Sequence, residues 1–331
     1  MTMSTEAARA LQEARAFWVV EAGVGEIRTV DLEAPGEAQV LVETLYSAVS
    51  RGTESLVFNG RVPPHMHTRM RGPNQDGEFT FPIKYGYCLV GRVLAGVGVG
   101  RHVFCLHPHQ TAFCVPEQAV TEIPESLPPA RAVLAALMET ALTAVWDARM
   151  SVGDRVVVVG AGTLGCLTAY LAARVPGCEV QLVDVDPGKA EIAAALGVMF
   201  ATPQHVKDEA DVVFHASASS SGLQQSIELA GPEATVVEMS WFGDAEVRLR
   251  LGGRFHSDRI RLVSSQVGTI PPHQARRWTY RRRLRMVMKL LQDERLDALF
   301  SGESPFAALP EVMPELASVG RPTLCHRICY R

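Results

Sequence analysis

Three glycines and one aspartate stand at spacings that could bind an anion and a diol. The stretch Gly160-Ala161-Gly162-Thr163-Leu164-Gly165 follows four consecutive valines, Val156 to Val159, and leads on to Asp184. The Gly-x-Gly-x-x-Gly spacing predicts a tight turn at the first glycine and room for a pyrophosphate against backbone N–H groups at the second. At the third it predicts close packing of helix on strand. Thr163 and Leu164 open that helix, whose N-terminus carries a partial positive charge for the anion. Asp184 ends the next strand, nineteen residues after Gly165, where a carboxylate can accept from both ribose hydroxyls of an adenosine. It would also repel a 2′-phosphate, so the expected cofactor is NAD. Lys189, one turn into the following helix, could reach that ribose or be a plain surface lysine. His215-Ala216-Ser217 ends the fourth strand at the edge where such sheets bind ligands. His215 reads equally well as a contact to the nicotinamide ribose or as a satisfied structural histidine. Ser264-Ser265-Gln266 closes the last strand and could line the same cleft.

Holding these groups in place requires strands that alternate with helices. The valine run reads as a strand buried on both faces, which a central parallel strand needs. Leu164, Leu167 and Leu171 share one face of the helix after it. Glu179 to Val183, Asp211 to Phe214, Ala234 to Met239 and Arg259 to Ser264 supply further strands, with a helix over Gly222 to Ala230. The second helix has Asp186 as N-cap, Pro187 at its first position and Gly197 just past its end. Before this unit lies a different texture. Ala16 to Val20, Ile27 to Leu32, Gln39 to Val49, Cys88 to Ala95, His102 to Leu106 and Thr111 to Val115 are β-rich runs between Gly and Pro punctuation. Arg61 to Pro82 interrupts them as a long aperiodic loop of the lid or binding kind. A helical pattern over Ala130 to Met150 links the two parts, and Leu324 to Tyr330 reads as a strand returning to the first.

With 331 residues and a net charge of −4, the chain has core enough for two domains and no general pull toward nucleic acid or anionic membrane. Its seven cysteines are odd in number and scattered, which suits a reduced, cytoplasmic setting better than a disulfide framework. The N-terminal stretch through Glu6, Arg9, Glu13 and Arg15 is a polar helical lead-in rather than a signal peptide. No run reaches the ~18 apolar residues of a membrane span.

The sequence resembles the medium-chain alcohol dehydrogenase/reductase superfamily over nearly its whole length. The matching residues are Val49-Ser50-Arg51-Gly52-Thr53-Glu54, Pro82-Ile83-Lys84-Tyr85-Gly86-Tyr87, Val90-Gly91-Arg92-Val93, and Gly153-Asp154 before the glycines. Ser-Arg-Gly-Thr-Glu, with Gly60-Arg61-Val62-Pro63-Pro64, is most similar to the hydroxyethyl-bacteriochlorophyllide dehydrogenase branch. The resemblance implies an α/β fold in two domains. A β-rich GroES-like catalytic domain spans 16–139 and is completed by 268–331, and a Rossmann dinucleotide-binding domain with a parallel sheet spans 140–267. It also implies hydride transfer between NAD and a small alcohol or carbonyl substrate, and a homodimer paired through the strand around Ile260 to Val263.

Zinc-dependent relatives carry a cysteine where this chain has Ser50 and Gly-His-Glu where it has Gly86-Tyr87-Cys88. Their third ligand falls near Ala135 or Glu139. Hydroxyl and phenol groups are poor zinc ligands at neutral pH, and the cluster of four cysteines that holds a structural zinc is absent, so a zinc-free member is expected. Tyr87 and Ser50 then become candidate proton donors in place of the metal, with Glu139 orienting them. The alternative is that Tyr87 only fills the metal's volume. His65-Met66-His67 and His107-Pro108-His109 could tempt a metal assignment, but both read as solvated loop histidines. Arg276, Arg277, Arg281, Arg282, Arg283 and Arg285, with Trp278 and Tyr280 between them, could meet a phosphate or carboxylate. The plainer reading, a solvated helix face paired with acids such as Asp293 and Glu294, is the one to expect. One basic helix on a slightly acidic chain is thin support for a nucleic-acid partner, and none is expected. Two rival functions stay open: a zinc-free enoyl or quinone reductase, and a protein that senses the dinucleotide without turning it over.

Overall fold

Val156 to Val159 are all but inaccessible in the computed structural model, which describes residues 4–318 and 323–330. They form the middle of a six-stranded parallel sheet. From one edge the strands run Met199–Ala201, Glu179–Val183, Arg155–Val159, Ala210–His215, Ala230–Glu238 and Arg261–Ser264. Neighbouring valines pair in register, Val156 with Val180 on one side and with Val212 on the other. Strand order reverses between Arg155–Val159 and Ala210–His215. The carboxyl ends there form the crevice in which open α/β sheets take ligands. The Thr163–Ala172 helix follows the glycine turn, and the Ser220–Leu229 helix follows Ser217.

Two punctuation readings need correction. The helix after Asp184 starts at Lys189 rather than Pro187, because the Asp186 carboxylate turns back to accept the Gly188 N–H at 2.9 Å. That makes an Asx turn, and Lys189 becomes the first helical residue. The helix ends as expected, with Gly197 left-handed at φ 72°. The Ala130 to Met150 pattern splits into Pro129–Ala132 and Ala135–Ala148.

The chain divides into two compact units. One comprises Met1–Ala136, Leu284–Gln292 and Phe300–Arg331, and the other Leu137–Arg283 with Asp293–Leu299. In the first unit, Gln39–Val49 is the spine. It pairs antiparallel with Leu89–Ala95, with Ala112–Pro116 and with the returning strand Cys325–Cys329. Val40, Val42, Leu89, Val93, Val103 and Phe113 bury their side chains around it. The long Arg61 to Pro82 segment is folded on itself. Arg71 reaches Gln75 O and Glu78 Oε1, and Asp76–Gly77 pairs with Ile83–Lys84. Among the described residues no helix is long and apolar enough to cross a membrane.

Candidate active site

The turn at Gly160 shows why each glycine is there. Gly160 has φ +107°, and a Cβ on it would stand 2.8 Å from Ser217 N. A Cβ on Gly165 would stand 1.8 Å from Gly160 O, so helix and turn touch through bare backbone. Gly162 differs: a Cβ there meets nothing within 4 Å. The second glycine faces open space beside the first N–H groups of the helix, as an approaching pyrophosphate would need. Asp184 Oδ2 accepts the Ala161 N–H at 2.7 Å and Oδ1 accepts the Asp186 N–H at 2.9 Å. The carboxylate therefore braces the turn and keeps further lone pairs for ribose hydroxyls. Thr163 and Leu164 are half-buried at the start of the helix, and Lys189 is buried, so it is no plain surface lysine.

The reading of His215 as a cofactor contact gives way here. The ring is 0% exposed, with Nδ1 at 2.7 Å from Glu238 Oε2 and Nε2 at 2.7 Å from Ser217 Oγ. No ring nitrogen is left for a ligand. The histidine instead presents Ser217, which is exposed and also meets Ser219 Oγ at 2.9 Å, while half-buried Ala216 ties its N–H to Val159 O. Ser265 is likewise engaged, donating to Asp147 Oδ2 at 2.7 Å.

In the first unit, Tyr87 Oη donates to Ser50 Oγ at 2.5 Å. Burial pushes the Tyr87 phenol well above 10, with Cys88, Tyr85 and Glu54 adding to the rise and Ser50 opposing it. Ser50 is 4% exposed and stands at the N-cap position of the Arg51–Phe58 helix without a capping bond from its hydroxyl. Its N–H donates to Glu54 Oε1 at 2.7 Å, and Glu54 Oε2 meets His109 Nε2 at 2.9 Å. His109 Nδ1 in turn meets Ser47 Oγ at 2.7 Å, and Ser47 meets Tyr330 Oη at 3.0 Å. Sequence reasoning missed Glu54, His109, Ser47 and Tyr330. Glu54 lies four residues after Ser50, one beyond the capping-box spacing, so no standard motif announces its bond to the Ser50 N–H. Nothing local signals the others, because His109 arrives from 55 residues beyond Glu54.

No protein-family model matches the chain. A zinc-type alcohol dehydrogenase-like protein of Haemophilus influenzae, itself uncharacterised, is 28% identical over 138 residues, covering 38% of this chain and 40% of that one. An L-threonine 3-dehydrogenase of Sinorhizobium fredii is 30% identical over 140 residues, covering 41% and 38%. The chain thus spans well under two thirds of either relative. Similarity to solved structures runs further. A dehydrogenase of Sinorhizobium meliloti, described as zinc-binding and bound to NADP, superposes with TM-score 0.76 at 17% identity over 96% of this chain and 99% of its own. The rspB alcohol dehydrogenase of Escherichia coli, in complex with NADH, gives 0.73 at 14% identity over 96% and 99%. The fold is that of the medium-chain alcohol dehydrogenase superfamily.

Within the medium-chain dehydrogenase fold, the expected roles of Glu139 and of the histidine pairs change. Glu139 is engaged within its own unit, where Arg283 Nε lies 2.8 Å from its Oε1. His107 and His109 are not solvated loop histidines, since both are buried. His67 is only partly so, its Nε2 facing Val62 O at 3.1 Å. Among the described residues no three His, Cys, Asp or Glu side chains are grouped to hold a metal ion.

His107 carries a pH prediction. It stacks on Phe113 with centroids 3.9 Å apart, and burial pulls its pKa down to about 3, with Lys84 and His109 adding to the fall. An unfolded histidine titrates near ~6.5. Between those values the unfolded chain binds a proton that the native chain refuses, so the stabilisation is present above pH 6.5 and is lost as pH falls. The slope is about 1.4 kcal/mol per pH unit for one proton, or about 3 kcal/mol between pH 6.5 and 4. His107→Gln should flatten the urea-midpoint profile over that range by this amount. Parallel profiles for the two proteins would place the acid sensitivity elsewhere.

Proposed function

We propose that this protein is a zinc-independent oxidoreductase that moves a hydride between NAD(H) and a small alcohol or carbonyl compound. The observation that carries the reading is the glycine turn, braced by Asp184 and open at Gly162. Gly160, Gly162, Gly165 and the first turn at Thr163 and Leu164 would hold the pyrophosphate, Asp184 the adenosine ribose, and Ser217 the far side of the crevice. Bound nicotinamide would supply or accept the hydride.

Zinc does not suit the residues at the ligand positions. Ser50 and Tyr87 are hydroxyls bonded to each other, and burial pushes the neighbouring Cys88 thiol well above its usual range, away from thiolate. The oxygen on which negative charge develops needs a donor instead. Tyr87 spends its proton on Ser50. The Ser50 hydroxyl proton meets no acceptor among the described residues and is available to a substrate oxygen. Tyr87 stays protonated across neutral pH and polarises Ser50, while the Glu54 contact holds the Ser50 backbone in place. We assign the protein to the cytoplasm, as a homodimer joined through the outer strand around Ile260 to Val263, acting on a small molecule and on neither nucleic acid nor membrane.

The test is a paired titration. NADH should bind more tightly than NADPH, since a carboxylate against a 2′-phosphate costs several kcal/mol where screening is poor. Asp184→Ala should shrink the gap, and elemental analysis of the same preparation should find no stoichiometric zinc. Tighter NADPH binding by the unmodified protein, or one firmly held zinc per chain, would sink the corresponding half.

A further inference from the structure

The second unit has a cleft that the chemistry above does not use. It measures about 420 Å³, is widely open to solvent, and is lined by Val145, Trp146, Met150 and Val175 together with Arg149, His273 and Gln274. Met150 leads into the Arg155–Val159 strand and Val175 into Glu179–Val183. The cleft therefore sits at the amino ends of these parallel strands, whereas the glycine turn leaves from their carboxyl ends.

Guanidinium groups gather around it. Trp146 packs on Trp278 at 4.8 Å between centroids, and the Arg282 guanidinium lies over Trp278 at 4.1 Å. Arg277 Nη2 donates to Gln274 Oε1 at 2.9 Å. Arg149, Arg276, Arg277, Arg281 and Arg282 are exposed, and none meets a carboxylate among the described residues. Of the acids in this unit, Asp293 is paired with Arg295 and Arg174 and accepts from Tyr170, and Asp147, which accepts from Ser265, stands beside His273 at the cleft. Arg149 lines the cleft, Arg277 is bonded to the lining Gln274, and Arg282 is joined to it through Trp278, which packs on Trp146. Three guanidiniums without a carboxylate partner among the described residues thus stand at or beside it, where an anion would relieve their charge. The volume lies in the range of small-molecule pockets, and planar guanidinium forks suit phosphate and carboxylate alike.

We propose that this cleft binds a small organic anion, with an apolar or aromatic body against Trp146, Met150 and Val175 and an oxyanion head on Arg149 and Arg277. The test is calorimetry on the whole protein, with NADH kept saturating so that the dinucleotide crevice is closed to the probe. Phenyl phosphate should bind one per chain and at least fivefold tighter than inorganic phosphate, and benzoate in the same assay separates a phosphate head from a carboxylate one. Arg149→Asn, which tolerates the left-handed backbone at φ 54°, and Arg277→Gln should each weaken phenyl phosphate at least tenfold. Arg248→Gln, at an exposed arginine elsewhere in the unit, should leave it unchanged. Absence of binding, equal affinity for inorganic phosphate, or indifference to both variants would overturn the proposal. Tighter and more salt-dependent binding of a thymidine dodecamer would also overturn it, in favour of a nucleic-acid surface.

Discussion

Arg283→Met should destabilise the second unit by about 3–5 kcal/mol, the usual cost of stranding one charge of a buried pair. Arg283 is 2% exposed. It donates to Glu139 Oε1 at 2.8 Å, to Thr143 Oγ1 at 3.0 Å and to Val267 O at 2.8 Å. Burial already pushes the Glu139 carboxyl upward, and only Arg283 is seen to oppose it. Without the guanidinium, the folded carboxyl would rise further above its unfolded value of ~4.3. A carboxyl raised in this way is favourable when protonated, so the deficit of the variant should shrink as pH falls through that raised value and grow as pH climbs. Adding Glu139→Gln to the variant should recover much of the loss at neutral pH. Urea denaturation followed by tryptophan fluorescence reads all three proteins. If the double variant is no more stable than Arg283→Met, the damage comes from lost packing and main-chain bonds rather than from the stranded charge.

Tyr87→Phe and Ser50→Ala should each slow turnover by ~10²-fold or more, the usual scale for loss of a proton donor. The 2.5 Å contact couples the two hydroxyls, and under the proposed mechanism Tyr87 polarises Ser50 while Ser50 donates to the substrate oxygen. The double variant should therefore be little worse than the slower single one, whereas independent roles would multiply. The measurement is kcat with saturating NADH and whichever member of a carbonyl panel is turned over, with NADH affinity as a control that should not move. Tyr87→Phe keeps the volume of the ring. An unaltered rate in that variant would assign Tyr87 to filling the space a metal takes in zinc-type relatives, and would leave proton supply to water or another residue.

What the chain reveals without its fold is what depends on near neighbours. The dinucleotide turn is legible because backbone geometry imposes it locally: Gly160 must take φ +107°, and Gly165 must have no Cβ within reach of Gly160 O. Val156 to Val159 announce a strand buried on both faces, and Gln39–Val49 begins and ends where its β-rich run does. Gly197 ends its helix by the same local rule. The start of that helix was less legible, because Asp186 and Pro187 make a good N-terminus as well as the Asx turn that is found.

Tertiary structure alone decided which polar side chains meet. Glu139 and Arg283 are 144 residues apart, and nothing in either neighbourhood says that one will neutralise the other. His109 looks like a loop histidine beside a proline until the first unit closes and sets it between Glu54 and Ser47. His215 stands at the expected strand end, yet Glu238 on the adjacent strand takes its Nδ1. Spacing along the chain determines backbone conformation and burial, because these follow from sterics and the periods of helix and strand. Partner choice among buried polar groups follows from desolvation: each must find whatever donor or acceptor the packed neighbours supply, at any distance in sequence.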